Sequence, residues 1–141
     1  MTHIGENAFN DCSGLTSITV DEGNAVYDSR ENCNGIIETA SNRLIKGIKN
    51  TTIPHSVTKI GPWAFSYCMD LTSVSIPNVT IIEENAFSDC AALTSVELGD
   101  KLTEIGNAAF WACTGLTSID IPQSVTTIGS FSFSQCTSLS S

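Results

Sequence analysis

The stretch IGNAAFWAC, residues Ile105–Cys113, decides how this sequence is organised, because the chain repeats it four more times. The other copies are IGENAFNDC from Ile4, IGPWAFSYC from Ile60, IEENAFSDC from Ile82 and IGSFSFSQC from Ile128. From Phe65 to Phe133 the shared phenylalanine returns after 22, 23 and 23 residues. Such a period is typical of stacked supersecondary units, each too small to bury its own apolar face. The sequence therefore predicts a solenoid.

The first half of the repeat unit has the alternation of a strand. In Leu116–Cys136, which reads LTSIDIPQSVTTIGSFSFSQC, Ile119 and Ile121 are two residues apart and so point to one side of an extended chain. Pro122 lacks an amide hydrogen and ends the strand. The pattern is first complete at Leu15–Val20. We expect these strands to stack in parallel, about 4.8 Å apart.

The second half of the unit turns the chain back. Val125 and Ile128 are three residues apart and cross the coil as a second short strand, and Gly129 permits a sharp bend. Phe133 and Cys136 are also three apart, which predicts a single helical turn with both side chains inward. The predicted fold class is an α/β repeat solenoid of short parallel strands, corners and single helical turns.

One coil is longer than the others. Phe9 and Phe65 are 56 positions apart, which is one period of 23 residues plus 33 more, and the extra segment covers about residues 21–53. Residues 35–39 and 43–48 within it predict a β-hairpin. We interpret the segment as a variant coil within a single solenoid domain, residues 1–141. It holds four of the six basic residues, Arg30, Arg43, Lys46 and Lys49.

Both ends of the chain interrupt the pattern. The first copy of the motif lacks a preceding strand, and the last residues, Leu139–Ser141, look like the opening of another one. Solenoids need polar caps, and the sequence has none at either end. We therefore expect a segment of a longer array, for which the missing signal peptide says little about location.

The charge excludes two classes of partner. The net charge is −9 with only six Lys and Arg residues. Nucleic acids and anionic membrane surfaces both require clustered cations. There is also no apolar run long enough to span a bilayer.

The unit LTSIxIPxSVTxIGxxAFxxC resembles the BspA-type leucine-rich repeat, and the stretch Asn24–Pro54 is similar to a variant coil of bacterial members of that family. The resemblance covers essentially the whole chain. It implies a right-handed solenoid with a parallel sheet and a secreted or cell-surface location. Several family members are implicated in adhesion to host proteins or to other cells. The family has no shared catalytic residues that would transfer to this chain.

The cysteines follow the repeat. Five of the six occupy one motif position, Cys12, Cys68, Cys90, Cys113 and Cys136, and Cys33 lies in the variant coil. A disulfide framework and a metal site are the functional alternatives, but no CxxC pair is present. Because free cysteine packs as a small hydrophobe, we predict a ladder of buried thiols.

The sequence gives only weak indications of a catalytic site or a metal site. The two histidines, His3 and His55, are not tied by spacing to a nucleophile and a third group, so we expect no enzyme. Calcium is suggested by three pairs of carboxylates, Glu83 with Glu84, Asp21 with Glu22 and Glu97 with Asp100. No DxDxDG-type loop is present, however, and a solvated acidic face is the simpler interpretation. We expect neither cofactor nor metal.

The outward strand positions form the candidate binding face. They are small and polar and become acidic toward the C-terminal end: Ser73, Ser75, Ser95, Glu97, Ser118 and Asp120. Trp63 and Trp111 occupy variable positions of the motif, so the repeat does not require them. They are candidates either for binding hot spots or for packing between coils. The leading hypothesis is a non-catalytic adhesion module for a host or cell-surface protein or glycan. The alternative is a structural spacer that presents another domain.

Overall fold

The computed structural model describes residues 1–5, 7–10 and 12–141. Over these residues the chain winds into a β-solenoid whose coils contribute short strands joined by turns. The strands are β1 Tyr27–Asp28, β2 Ile36–Glu38, β3 Arg43–Lys46, β4 Lys59–Ile60, β5 Ser73–Ile76, β6 Ile81–Ile82, β7 Ser95–Leu98, β8 Glu104–Ile105 and β9 Thr127–Ile128. A 3-10 turn at Arg30–Asn32 is the only helical element in the described part of the chain.

The larger sheet has seven strands in the order β1-β2-β3-β4-β6-β8-β9. The variant coil supplies the antiparallel strands β1, β2 and β3, so the predicted hairpin is present as β2 and β3. From β3 onward the pairing is parallel, and each coil adds one short strand. The register aligns one apolar residue per coil: Leu44, Ile60, Ile82 and Ile105, which are fully buried, and Ile128 in the last coil, which is exposed.

The sequence predicts that the LTSIxI-type strands of successive coils stack into a continuous parallel sheet. In the structure only two of them, β5 and β7, pair in parallel, and they form a separate two-stranded sheet. The expected strand at residues 15–20 is not formed because the variant coil binds its amides with side chains. The amide of Ile18 donates to Asn34 Oδ1 at 2.8 Å, and that of Val20 donates to Ser29 Oγ at 2.9 Å. Residues 117–121 are also outside any strand.

The predicted single helical turns are wrong, and the segments are successive tight turns. Their conformation alternates because each copy from Ile60 onward has two residues with a positive φ, such as 52° at Ala108 and 56° at Ala112. Alternate amides consequently point toward the next coil: Phe87 donates to the Ala109 carbonyl at 2.8 Å, and Phe110 donates to that of Ser132 at 2.8 Å. In a helix these amides would instead donate to carbonyl groups of the same coil.

The glycines at the motif position of the later coils, Gly61, Gly106 and Gly129, allow close approach of adjacent coils and do not make a bend. No glycine among the described residues has a positive φ, so the expected conformational role is wrong. A Cβ on Gly106 would lie 2.7 Å from the carbonyl carbon of Glu83, and one on Gly129 would lie 2.6 Å from the Asn107 nitrogen. Glycine at this position therefore lets adjacent backbones pack together.

A stack of phenylalanine rings forms the centre of the core. Phe65, Phe87, Phe110 and Phe133 are nearly parallel, with successive ring centroids 5.1, 5.1 and 5.4 Å apart. The stack ends at Gly47, where a Cβ would lie 2.2 Å from the Phe65 ring. Beyond that point Phe9 packs with a separate small cluster around Val20, Tyr27 and Ile36.

Candidate binding surface

The predicted outward positions form one exposed surface, which we call the strand face: Ser73, Ser75, Ser95, Glu97, Ser118 and Asp120. The register of β5 and β7 places Ser73 beside Ser95 and Ser75 beside Glu97. The intervening side chains, such as Ile76, point into the core, as period-2 alternation requires.

The strand face is locally ordered by hydrogen bonds between coils. Ser75 Oγ donates a hydrogen bond to Glu97 Oε2 at 2.7 Å. Beside the face, both the amide and the hydroxyl of Thr94 donate to the Thr72 carbonyl, at 2.9 and 3.1 Å. These bonds fix the spacing of the coils, so the polar groups are presented at a regular interval along the solenoid.

The two tryptophans occupy different environments. Trp111 is 38% exposed. Trp63 is half-buried, has a φ of 52° and lines a groove to which no strand-face residue contributes. The sequence treated the two as equivalent candidates, whereas the structure separates Trp63 from the predicted face.

Three of the five cysteines predicted as a ladder of buried thiols form one. Cys90, Cys113 and Cys136 are buried, and each thiol contacts the carbonyl of the phenylalanine in the preceding coil at 3.1 Å. Burial raises the pKa of Cys113 to about 12 and that of Cys90 well above its usual value. These thiols are therefore protonated and poorly nucleophilic at neutral pH.

The prediction of a buried thiol is wrong at Cys12 and only partly correct at Cys68. Cys12 is exposed and Cys68 is half-buried, whereas Cys33 is buried in the variant coil. Burial raises the pKa of both Cys33 and Cys68. All six cysteines are free thiols.

The residues considered for catalysis or metal binding lie apart. His55 is exposed and its Nδ1 is 2.9 Å from Asn78 Nδ2. Glu83, from one of the carboxylate pairs, forms an ion pair with Arg43. Within the described ranges, no group of three or more His, Cys, Asp and Glu side chains is arranged to hold a metal ion.

A groove that sequence reasoning missed lies beside the variant coil. It encloses about 480 Å³ and is lined by residues of the N-terminal turn, including His3 and Asn7, and by Tyr27, Arg43 and Trp63. A second cavity of about 30 Å³ lies between Phe9, Cys12 and Cys68. Both cavities occur where the variant coil lacks the IGxxAFxxC segment that would otherwise fill the space. The absence of that motif was the only signal for them in the sequence.

Lys46 lines both cavities. The Gly47 amide donates to the Ala64 carbonyl, and the Phe65 amide donates to the Ala86 carbonyl in the same way. Gly47 is therefore equivalent to Phe65, and the preceding residue, Lys46, occupies the position at which the regular coils have a buried alanine. Lys46 is only 8% exposed. Burial lowers the pKa of its amine.

The other three cations of the variant coil have carboxylate partners. Arg30 pairs with Asp28, Arg43 with Glu83 and Lys49 with Asp70. Arg43 reaches Glu83 across Gly61, where a Cβ would lie 3.4 Å from Arg43 Nε. Lys46 makes no ion pair or side-chain hydrogen bond with the residues that the structure describes.

Comparison with known proteins gives matches in sequence and in structure. A profile of the "BspA type Leucine rich repeat region" matches six copies over residues 1–33 and 36–141. No curated protein matches the chain. None of the described residues belongs to a helix long and apolar enough to cross a membrane.

Three crystal structures illustrate the structural similarity. A leucine-rich cell surface protein from Faecalibacterium prausnitzii A2-165 is 30% identical with a TM-score of 0.77, over 95% of this chain and 43% of that one. A leucine-rich repeat protein from Bacteroides capillosus ATCC 29799 is 26% identical with a TM-score of 0.59, over 78% of this chain and 86% of that one. The pneumococcal vaccine antigen PcpA, 21% identical with a TM-score of 0.72, shares the fold over 82% of this chain and 29% of its own.

The chain thus spans less than half the length of the F. prausnitzii protein. The family profile covers nearly every residue, including most of the variant coil, and the solenoid supplies the matching geometry. The chain belongs to the BspA-type leucine-rich repeat family.

Proposed function

We propose that this chain is a non-catalytic binding module of a cell-surface or secreted protein, which adheres to a protein or glycan through its strand face. The observation that carries the proposal is the exposure, in register, of small polar and acidic side chains on adjacent coils. Extended surfaces of this kind are what repeat proteins use for recognition. The F. prausnitzii protein, which is named a leucine-rich cell surface protein, supports the location.

The charge of the strand face favours a basic partner. Glu97 and Asp120 are exposed and lie toward its C-terminal end. Small serines contribute little binding energy individually, but they allow a partner to approach the backbone closely. Complementary charges then favour association and fix the orientation of the partner. Basic segments of matrix or mucosal proteins therefore fit the face better than acidic polymers do.

The test is a binding screen of the chain against matrix proteins, mucins and glycans, together with a Glu97→Lys/Asp120→Lys variant. A saturable signal that the variant loses is the expected result. The matched control is Glu84→Lys/Glu104→Lys, which changes the net charge equally at two exposed residues outside the strand face. The control should bind like the unmodified chain.

Two results would count against the proposal. Equal loss of binding in both variants would indicate a general charge effect. The complete absence of a saturable signal would favour the spacer, in which the stacked coils only hold another domain at a distance.

A further inference from the structure

Two glycines of the first coil stand at positions that elsewhere meet a preceding coil. In the regular coils, a Cβ on Gly106 or Gly115 would lie 2.7 or 2.6 Å from a backbone atom of the coil before it. A Cβ on Gly5 or Gly14, at the same positions of the repeat, would meet no atom of the described chain within 4 Å. Glycine has an entropic cost that close approach normally justifies. The outer side of the first coil, which we call the first-coil face, therefore has the form of a surface that another coil contacts.

The backbone groups of the outermost coils are complementary. Each complete regular coil donates amides to carbonyls of the following coil. At the end of the stack, on what we call the last-coil face, the equivalent amides of Phe131, Phe133 and Gln135 make no hydrogen bond with any described residue. On the first-coil face, the carbonyls of Ala8 and Asn10 occupy the accepting positions of the motif and have no donor among the described residues. One face thus offers donors where the other offers acceptors.

The apolar side chains of both faces are less buried than their equivalents inside the stack. Ile128 is 49% exposed, whereas its equivalents in the three preceding coils are fully buried, and Phe131 is 72% exposed. Phe133 and Phe9, which hold the phenylalanine position of the last and first coils, are each half-buried. Residues 121–141 contain no Asp, Glu, Lys or Arg. Depletion of charged residues is typical of the core of a protein interface.

We propose that a second copy of this chain stacks its first-coil face on the last-coil face, head to tail, and so continues the solenoid. The occupant is a coil of this repeat because the contact continues the coil-to-coil interface that the chain already forms. The amides of Phe133 and Gln135 would donate to the carbonyls of Ala8 and Asn10 in the second copy, as equivalent groups do inside the chain. Phe9 of the second copy would extend the phenylalanine stack. The proposal goes beyond the binding function, because no strand-face residue takes part.

The direction of the contact follows from the hydrogen-bonding groups. Two last-coil faces would place donors against donors, so only a head-to-tail contact satisfies both sides. The terminal segments do not compete for one place, since Leu139–Ser141 begin a repeat unit and Ile4–Cys12 end one. A head-to-tail contact does not close on itself, so the assembly grows with concentration. Stacked copies would repeat the strand face along one axis, which strengthens binding to a multivalent partner.

Sedimentation velocity over a range of protein concentrations tests the proposal. We expect an open series of dimers, trimers and longer species, favoured by salt because the net charge of −9 on each copy opposes association. Gly5→Val should weaken association about tenfold or more, because the new side chain takes the space of the incoming coil. Its melting temperature should change little, since that space is empty in the single chain. Ala91→Val, at an exposed residue of a middle coil, is the matched control and should associate like the unmodified chain.

Mixing two blocked variants tests the direction of stacking. Gly5→Val leaves the last-coil face intact, whereas Ile128→Lys places a charge on that face and leaves the first-coil face intact. Neither variant should associate with itself, but an equimolar mixture should form a one-to-one dimer that does not grow. If circular dichroism shows that Ile128→Lys does not fold, Phe131→Asn replaces it, because Phe131 is exposed with a φ of 60° and asparagine tolerates that conformation.

Cys12 reports the contact independently. It is exposed in the single chain and should react with a maleimide in dilute solution, then become protected as association proceeds. In Gly5→Val it should stay reactive at every concentration. A chain that remains monomeric at all concentrations would overturn the proposal. A dimer that stops growing, or self-association of Ile128→Lys, would indicate a symmetric contact and overturn it equally. Loss of adhesion in Glu97→Lys/Asp120→Lys without loss of stacking would affect only the strand-face function, so the two proposals fail separately.

Discussion

The regular coils, residues 58–141, and the N-terminal part with the variant coil, residues 1–53, are held together by different forces. In the regular coils, backbone amides bond to the next coil and identical rings stack, as between Phe87 and Phe110. In the N-terminal part, side chains of Ser29 and Asn34 bind backbone amides, and Arg30 pairs with Asp28. Repetition gives every group of a regular coil an equivalent neighbour, whereas a coil of different length must satisfy its backbone with individual side chains.

The largest expected difference between the two regions concerns the aromatic core. Phe110→Ala should destabilise the chain by about 3–5 kcal/mol, because the ring is fully buried between two other rings. Phe9→Ala, at the equivalent position of the first coil, should cost only about 1 kcal/mol, because Phe9 is half-buried in the small cluster. Urea denaturation of both variants measures the difference, and equal losses would contradict the division into two regions.

A smaller effect should separate two glycines at one motif position. Gly106→Ala should cost about 1–3 kcal/mol, since the new methyl group overlaps the backbone of the preceding coil. At Gly5 a Cβ would meet no atom within 4 Å, so Gly5→Ala should change the unfolding free energy little. If Gly106→Ala were as harmless as Gly5→Ala in urea denaturation, close approach would not explain the glycine.

The left-handed turn positions allow a stabilising change. Ala112 has a φ of 56°, so Ala112→Gly should raise the unfolding free energy by about 0.5–1 kcal/mol by relieving strain. Ala109 is buried with no positive φ, and Ala109→Gly should destabilise the chain instead. The first coil already has Asn7 at a left-handed position, and asparagine tolerates this conformation. A loss of stability in Ala112→Gly would show that the turns are not strained.

The smallest effect is the pH dependence of one ion pair in the variant coil. The hydrogen bond from Arg30 lowers the pKa of Asp28 from 3.8 to about 2. Because the pKa is depressed in the folded state, its contribution to stability is complete above the unfolded pKa and is lost as the pH falls toward 2. The difference in melting temperature between the unmodified chain and Asp28→Asn should therefore shrink from about pH 5 to about pH 2. A constant difference over that range would contradict the ion pair.

The sequence was most informative where it repeats. The 22- and 23-residue spacing predicted the stacking of coils, the inward phenylalanines and the cysteine ladder, because equal spacing places equal side chains in contact. The strand face also followed from alternation, since its residues are exposed as predicted. The predicted use of that face for binding stays a prediction.

The predictions that failed depended on contacts between coils. Spacing of three between Phe and Cys fits a helical turn, but the structure forms alternating turns because these give amides to the neighbouring coil. The strand at residues 15–20 was predicted from its own alternation, yet Asn34 takes the amide of Ile18. The groove and the burial of Lys46 depend on what the variant coil lacks, which no local pattern records.

The sequence by itself determined that this protein is a stacked repeat array with an apolar interior, because a period and an apolar alternation are properties of one chain read in order. Only the tertiary structure decided which of the two strand sets became the main sheet, where the glycines let backbones meet, and that Lys46 would be buried beside an open groove. These features depend on which groups of two adjacent coils form hydrogen bonds and fill the space between them. They can be determined only when the positions of both coils are known.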